Sequence, residues 1–239
     1  LLEADQVKPS DVFYCESGQF SIHGIDIKDL RSFENLTFSE VLQNSSNIGI
    51  IKAVEALDES KMFSTARKFG FSEKTGIQFP YENAGLLKNN KYWSNPSKSE
   101  IAIGYEVSVT TLQLVMAYAA IGNGGILLKP QLIEKLRTPN GHEQEIDHMD
   151  AIRRVASENT MRTMSSILEK AVSHGTGHKA FLPNLKIAGK TGTAKKLKDG
   201  KYVSEYIASF ASFYPSDDPE YALIVVIDHP RKGGYTGGM

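Results

Sequence analysis

The sequence predicts an α+β fold in which helices come first and an antiparallel meander of three strands comes last. Two observations carry this expectation. Between residues 37 and 175, apolar side chains recur at helical spacing behind recognisable N-caps. After residue 185 the period changes to two, and turn signals separate three apolar runs. Three strands make a small sheet for so many helices, so further strands are expected outside these residues.

Residues 1–36 read as irregular or extended, with Gly18 and Gly24 among scattered aromatics. Thr37-Phe38-Ser39-Glu40 has the form of a capping box, a hydroxyl at the cap and a carboxylate three residues on. Phe38, Val41 and Leu42 follow at helical spacing; Asn44-Ser45-Ser46-Asn47 interrupts them, and Ile48, Ile51, Val54 and Leu57 resume the stripe. This pattern predicts a helix, a polar corner and a second helix. Residues 59–69 form another amphipathic helix, with Met62, Phe63, Ala66 and Phe69 on one stripe and Gly70 as its stop. Residues 80–100 are polar, contain Pro80 and Pro96, and read as a long surface loop. A second capping box, Thr110-Thr111-Leu112-Gln113, opens a helix through Ala120 that Gly122-Asn123-Gly124-Gly125 closes.

Ile126–Leu128 reads as a strand, and residues 137–150 as a loop or short hairpin. Ser157 caps a helix carrying Met161, Met164, Leu168 and Val172, which Gly175 ends. The three terminal strands fall at 185–197, 202–214 and 221–228, the first two joined by Lys198-Asp199-Gly200-Lys201. Within the chain, 37–125 is expected to be mainly helical, and 126–239 to hold a helix and the strands.

Composition narrows the function classes. The 239 residues carry 27 basic and 28 acidic side chains, a net charge of -1, which argues against holding nucleic acid mainly through phosphates. Hydrophobic residues make up 41%, enough for one large or two small cores. No run approaches 18 apolar residues, so no membrane-spanning helix is expected. Cys15 is the single cysteine, which excludes an internal disulfide and a cysteine-rich metal cage. The chain begins at Leu1 and stops at Gly237-Gly238-Met239, just past a strand-like run, so it is expected to be part of a longer gene product.

Gly189-Lys190-Thr191-Gly192-Thr193 is the strongest local signal. A phosphate-binding loop also ends in Gly-Lys-Thr, but it needs a glycine where this chain has Asn184, and a helix where Ala194 to Leu197 enter a hairpin. The better reading is a strand carrying Lys-Thr-Gly along the wall of a serine acyl-transfer site. A strand-borne cation and hydroxyls grip a substrate carboxylate there, and Gly192 keeps the strand edge clear of a side chain. The triplet alone also fits a plain strand and turn. Ser45-Ser46-Asn47 has the Ser-x-Asn form, in which a hydroxyl relays protons and a carboxamide holds a peptide group. It fits a polar turn or N-cap equally well.

More segments join these two in order. Leu36-Thr37-Phe38-Ser39-Glu40-Val41 leads into Ser45-Ser46-Asn47, and Arg67-Lys68-Phe69-Gly70-Phe71 precedes Lys74-Thr75-Gly76-Ile77. Ala102-Ile103-Gly104-Tyr105, Ser108-Val109-Thr110, Leu112-Gln113 and Asn123-Gly124-Gly125 follow. Gly175-Thr176-Gly177 with Ala180 then precedes Ile187-Ala188 and the Lys-Thr-Gly strand. Over most of its length the chain resembles the transpeptidase domain of class B penicillin-binding proteins. The Asn of Ser45-Ser46-Asn47 and the Ser108-Val109-Thr110 run look more like the division or sporulation branch than the elongation branch.

The resemblance implies a penicillin-binding-protein/β-lactamase-like fold and attack on the D-Ala-D-Ala bond of a peptidoglycan stem peptide through a serine acyl-enzyme. It implies β-lactam binding, no cofactor and no metal. Cell-wall synthesis and division proteins are implied as partners, nucleic acid is not. The implied location is the extracytoplasmic face of the bacterial membrane, held by a segment outside these residues. Residue by residue, Lys190 would orient protons and attract the substrate carboxylate, and Thr191 and Thr193 would hydrogen-bond it beside Gly192. The Thr193 N–H would form one arm of the oxyanion hole, Ser45 would relay a proton to the leaving group, and Asn47 would hold the donor's amide.

One departure stands out. The family's nucleophile lies in Ser-x-x-Lys upstream of Ser-x-Asn, and this sequence contains no such tetrapeptide. Thr65-Ala66-Arg67-Lys68 imitates the spacing but falls inside an amphipathic helix and reads as structural. The active serine, the strands before it and a closing helix are expected outside residues 1–239. A β-lactam-sensing receptor and a non-catalytic scaffold use the same fold and are the rival functions.

Other candidates read as structural. His23, His142, His148, His174, His178 and His229 show no metal-binding spacing on a helix and read as surface residues. Lys195, Lys196, Lys198 and Lys201 read as a solvated hairpin tip, and Tyr206, Phe210 and Tyr214 as core residues of a strand.

Overall fold

The computed structural model describes residues 1–146, 150–231 and Gly237; His148 lies outside them. Residues 1–36, expected to be irregular or extended, form two small antiparallel sheets. Strand β1 (Val12–Tyr14) pairs with β4 (Asn35–Thr37), and β2 (Gln19–Ile22) with β3 (Ile25–Lys28). Their inward side chains join Val41, Ile48 and Ile51 in a core around Cys15, Ile27 and Leu36.

That core is shared with α1 (Phe38–Asn44) and α2 (Asn47–Val54). The Thr37 capping box forms as expected, with the Thr37 hydroxyl accepting from the Glu40 N–H and the Glu40 carboxylate accepting from the Thr37 N–H. Helix α2 lies so close to α1 that a Cβ on Gly49 would stand 2.5 Å from a methyl of Val41. Helix α3 (Glu59–Lys68) is capped by Asp58, and its apolar stripe is half-buried. Thr65 and Lys68 are exposed on it, so the imitation of Ser-x-x-Lys faces solvent.

Residues 80–100 depart from the expected loop. They hold β5 (Leu86–Leu87) and α4 (Ser97–Ala102), and β5 pairs with β6 (Val107–Ser108). Helix α4 escapes a hydrophobicity reading because its fully buried positions are Ser97 and Ser99. Helix α5 (Thr111–Gly122) starts at the second capping box. Its buried Gln113 donates to the carbonyls of Glu73 and Ala84 at 2.7 and 2.8 Å, tying the chain after α3 to the helix.

Strand β7 (Ile126–Leu128) pairs with β10 (Ala151–Arg154), and between them β8 (Lys135–Arg137) and β9 (Glu143–Glu145) make an exposed hairpin. Helix α6 (Glu158–Ser173) begins at Ser157, whose hydroxyl accepts from the Thr160 N–H. The terminal sheet has the order β11 (Ala188–Lys198), β12 (Lys201–Tyr214), β13 (Tyr221–Asp228), all antiparallel. Asp199 and Gly200 turn the β11–β12 hairpin with positive φ at both positions, the twist-matched conformation.

Helix α5 packs on β12 and β13, while α6 packs on β11 and on α1. Phe213, 1% exposed, fills the interface with Leu168 and Ala188. The aromatics expected in this core sit elsewhere: Tyr206, Phe210 and Tyr214 alternate onto the opposite face from Phe213 and are half-buried. No helix among the described residues is long and apolar enough to cross a membrane.

The close α1–α2 packing yields a stability prediction. Gly49→Ala should cost about 1–3 kcal/mol, because the methyl overpacks Val41. Urea unfolding of residues 1–239 measures it, and an unchanged midpoint would show that the corner is loosely packed.

Candidate active site

The end of α1 supplies the first side chain. Ser45 N–H donates to the Leu42 carbonyl and Ser46 N–H to the Val41 carbonyl, a Schellman closure of the helix. This closure puts Ser45 in the left-handed region, φ 58°, ψ 43°, where glycine is the usual residue. Serine there costs roughly 1–2 kcal/mol, so the position carries a side chain against the preference of the backbone.

Strand β11 supplies the second. Lys190 extends from β11 with its ammonium 2.9 Å from the Ser45 hydroxyl, across 145 residues of chain. The ammonium also donates to the Thr176 hydroxyl at 3.4 Å and to the Thr191 carbonyl at 3.1 Å. Three N–H donors therefore meet three neutral oxygens. No ion pair of Lys190 occurs among the described residues, and burial alone pushes its pKa down to about 8 from the ordinary 10.5.

Helix α6 brings the two elements together through the turn after it. A Cβ on Gly175 would collide with the Gln43 carbonyl, so only glycine lets this turn lie on the end of α1. The next residue, Thr176, donates its N–H to that same carbonyl at 3.1 Å. Its hydroxyl accepts from Thr191 at 2.8 Å as well as from Lys190. Thr176 is thus the point at which α1, α6 and β11 meet.

The remaining expected residues separate by their surroundings. Thr191 points its hydroxyl at Thr176, whereas Thr193 is exposed and accepts from the Gly237 N–H at 3.2 Å. Gly192 has a packing reason beyond an open strand edge: a Cβ there would stand 2.5 Å from the Ser209 hydroxyl on β12. Asn47 begins α2, and its carboxamide donates to the Lys28 carbonyl at 3.0 Å. The structure thus brings Ser45, Lys190 and Thr191 together, leaves Thr193 open on the same strand, and fastens Asn47 to the end of β3.

The roles of two residues were missed by sequence reasoning. Thr176 stands in the Gly175-Thr176-Gly177 segment that carries part of the resemblance, a signal that marks the segment but gives Thr176 no role. Asp29 accepts from the Ser46 hydroxyl and from two N–H groups of α2, contacts that no local pattern announces. His174 and His178 bond to Ser173, and His178 stacks on Phe181, so both are engaged locally. At the hairpin tip Lys196 pairs with Asp228 and Lys198 with Glu205.

The whole chain, residues 1–239, matches the family described as the penicillin binding protein transpeptidase domain. It is 38% identical over 221 residues to the peptidoglycan D,D-transpeptidase FtsI of Escherichia coli strain K12, covering 92% of this chain and 36% of that one. It is 37% identical over 205 residues to the stage V sporulation protein D of Bacillus subtilis, covering 84% and 32%. The chain therefore spans about a third of the length of these relatives. Among solved structures, penicillin binding protein 3 of Mycobacterium tuberculosis complexed with aztreonam superposes with a TM-score of 0.88 at 30% identity, covering 97% of this chain and 54% of that one. The transpeptidase domain of Burkholderia pseudomallei penicillin-binding protein 3 gives 0.87 at 30%, covering 99% and 70%.

Two predictions follow from Ser45 and Lys190. Ser45→Gly relieves the left-handed strain, so the folded state should gain on the order of 1 kcal/mol while losing its hydrogen bond to Lys190. Thermal unfolding tests it, and a marked loss of stability would mean that the hydroxyl holds the corner together. For Lys190 the folded pKa is depressed, so the unfolded chain binds the proton more tightly and stability rises with pH between about 8 and 10.5. Lys190→Met should abolish that rise and be the more stable protein at pH 7. Urea midpoints at pH 7 and pH 10 check this, and parallel shifts in both proteins would contradict it.

Proposed function

The chain belongs to the penicillin-binding-protein transpeptidase family, and from that premise we propose that it forms the substrate-binding wall of a peptidoglycan D,D-transpeptidase working through a serine acyl-enzyme. The observation that carries this reading is the Lys190 ammonium held on Ser45 with neutral partners only. A lysine of pKa about 8 is cationic enough near neutral pH to attract a carboxylate. Roughly one tenth of it is neutral at pH 7, so it also exchanges protons readily, as a group operating near its own pKa does.

In this reading the C-terminal carboxylate of a D-Ala-D-Ala stem peptide lies near Lys190 and takes a hydrogen bond from the exposed Thr193 hydroxyl. Thr191 holds Thr176 and so keeps Lys190 aimed at Ser45. The nucleophilic serine attacks the carbonyl between the two D-alanines and passes its proton to the lysine of its own Ser-x-x-Lys element, and the C–N bond breaks to release D-alanine and leave an ester. Ser45, fed by Lys190, delivers the proton to the departing amine. The Thr193 N–H forms one arm of the oxyanion hole, and Asn47 orients the donor's amide. An amine on a neighbouring strand then takes the acyl group.

The serine belongs to a Ser-x-x-Lys element that residues 1–239 do not contain. The printed names, a peptidoglycan D,D-transpeptidase and a stage V sporulation protein, support a cell-wall role, and we place it in division or sporulation with partners from that machinery. A peptidoglycan substrate would be met outside the cytoplasm, which is why we place the parent protein on the extracytoplasmic face of the membrane. Complexes of the Mycobacterium tuberculosis protein with aztreonam and ampicillin support β-lactams as ligands, which in this reading acylate the serine.

Residues 1–239 alone should form no covalent adduct with a fluorescent penicillin; a labelled band surviving denaturing electrophoresis would place the nucleophile inside this chain. In the longer parent protein, Lys190→Ala should slow acylation by about 10²–10⁴-fold. Thr193→Val should slow it less, since it keeps the β-branched shape and loses one hydroxyl. Rates near those of the unsubstituted protein in both variants would remove the two residues from the mechanism.

A further inference from the structure

We propose that Asp29 is a positioning residue of this site: its carboxylate holds Ser46 and the first turn of α2, and through them sets where Ser45 and Asn47 stand. The proposal rests on the transpeptidase reading above. Oδ2 of Asp29 accepts from the Ser46 hydroxyl at 2.5 Å, and Oδ1 accepts from the Asn47 and Ile48 N–H groups at 2.6 and 3.2 Å. These N–H groups are unpaired donors at the start of α2, where negative charge is favoured.

A simple helix cap would not need Asp29. Ser46 already caps α2, its hydroxyl accepting from the Gly49 N–H at 3.0 Å. Accepting from Gly49, donating at 2.5 Å to Asp29 with the Cys15 sulfur a longer 3.5 Å alternative, and only 2% exposed, that hydroxyl is held chiefly by Asp29. Asp29 reaches it from another sheet, 17 residues upstream, and is itself anchored by its N–H on the Gly18 carbonyl at 3.1 Å. The preceding residue, Lys28, fixes the Asn47 carboxamide. The end of β3 therefore grips both residues that follow Ser45, while Ser45 sits between this grip and the Schellman turn in a conformation it would otherwise leave.

Charge matters to the grip. Three donors converge on the two oxygens of one carboxylate. An asparagine keeps one oxygen for the Asn47 and Ile48 N–H groups but faces Ser46 with an NH₂ group, so the Ser46 hydroxyl must turn to accept, and the start of α2 loses the negative charge that favours it. A misplacement of about 1 Å at a reacting group costs on the order of 10²-fold in rate.

The test uses the full-length parent protein and a fluorescent penicillin, measuring the acylation rate constant and the fraction of protein labelled as separate quantities. Asp29→Asn should keep a stoichiometric labelled fraction and lower the rate constant on the order of 10²-fold. Ser46→Ala should lower it less. The double variant should be no slower than Asp29→Asn, because both act through one contact. A rate constant unchanged in Asp29→Asn, with loss only in the labelled fraction, would reduce Asp29 to a folding residue and overturn the proposal. So would additive effects of the two substitutions. If Asp29→Asn yields no folded protein, Ser46→Ala decides alone, and its reacting at the unsubstituted rate overturns the proposal. If the unsubstituted protein itself fails to label, the transpeptidase reading falls, and this inference with it.

Discussion

A lysine ammonium partly withdrawn from water without a carboxylate to receive it is the constraint around which the rest of this structure is arranged. Lys190 exchanges hydration for three neutral oxygens, from Ser45, Thr176 and Thr191. Neutral acceptors solvate a cation in part, and the remaining deficit appears as a pKa near 8. A carboxylate at the same place would relieve the deficit, but it would raise the pKa and occupy the position proposed above for the substrate carboxylate. The site is thus tuned by what surrounds the lysine.

Holding three oxygens on one ammonium requires three elements to approach closely, and glycines permit it. Gly175 lets the turn after α6 lie on the carbonyl end of α1, Gly49 lets α2 press on α1, and Gly192 clears the Ser209 side chain of β12. The Schellman closure of α1 then presents Ser45 in the left-handed region. Strain at Ser45 and desolvation at Lys190 are both unfavourable, and they coincide at one hydrogen bond. The packing of Phe213, Leu168 and Ala188 beneath β11 offsets such costs elsewhere in the fold.

Local chemistry made much of this readable in the sequence. Both capping boxes, the stop at Gly175 and the Asp199-Gly200 turn depend on near neighbours, and the helices and hairpin formed where those residues placed them. Ser45 and Lys190 were legible as members of short motifs, although nothing in either motif gives their distance. Helix α4 stayed hidden because its buried face is serine, and Tyr206, Phe210 and Tyr214 were assigned to the core because the alternation of β12 does not say which face is inward. The roles of Asp29 and Thr176 are hidden for a stronger reason, although Thr176 stands in the Gly175-Thr176-Gly177 segment. Their roles consist of contacts made across 17 and 14 residues of chain, which only the folded topology creates.

The state of the Lys190 ammonium decides how this site works, and the most direct measurement is an NMR titration of its side chain in residues 1–239 labelled at lysine, assigned by comparison with Lys190→Met. The resonance should titrate with a midpoint near 8. A midpoint at the ordinary lysine value of 10.5 would show a hydrated or ion-paired ammonium and contradict the account.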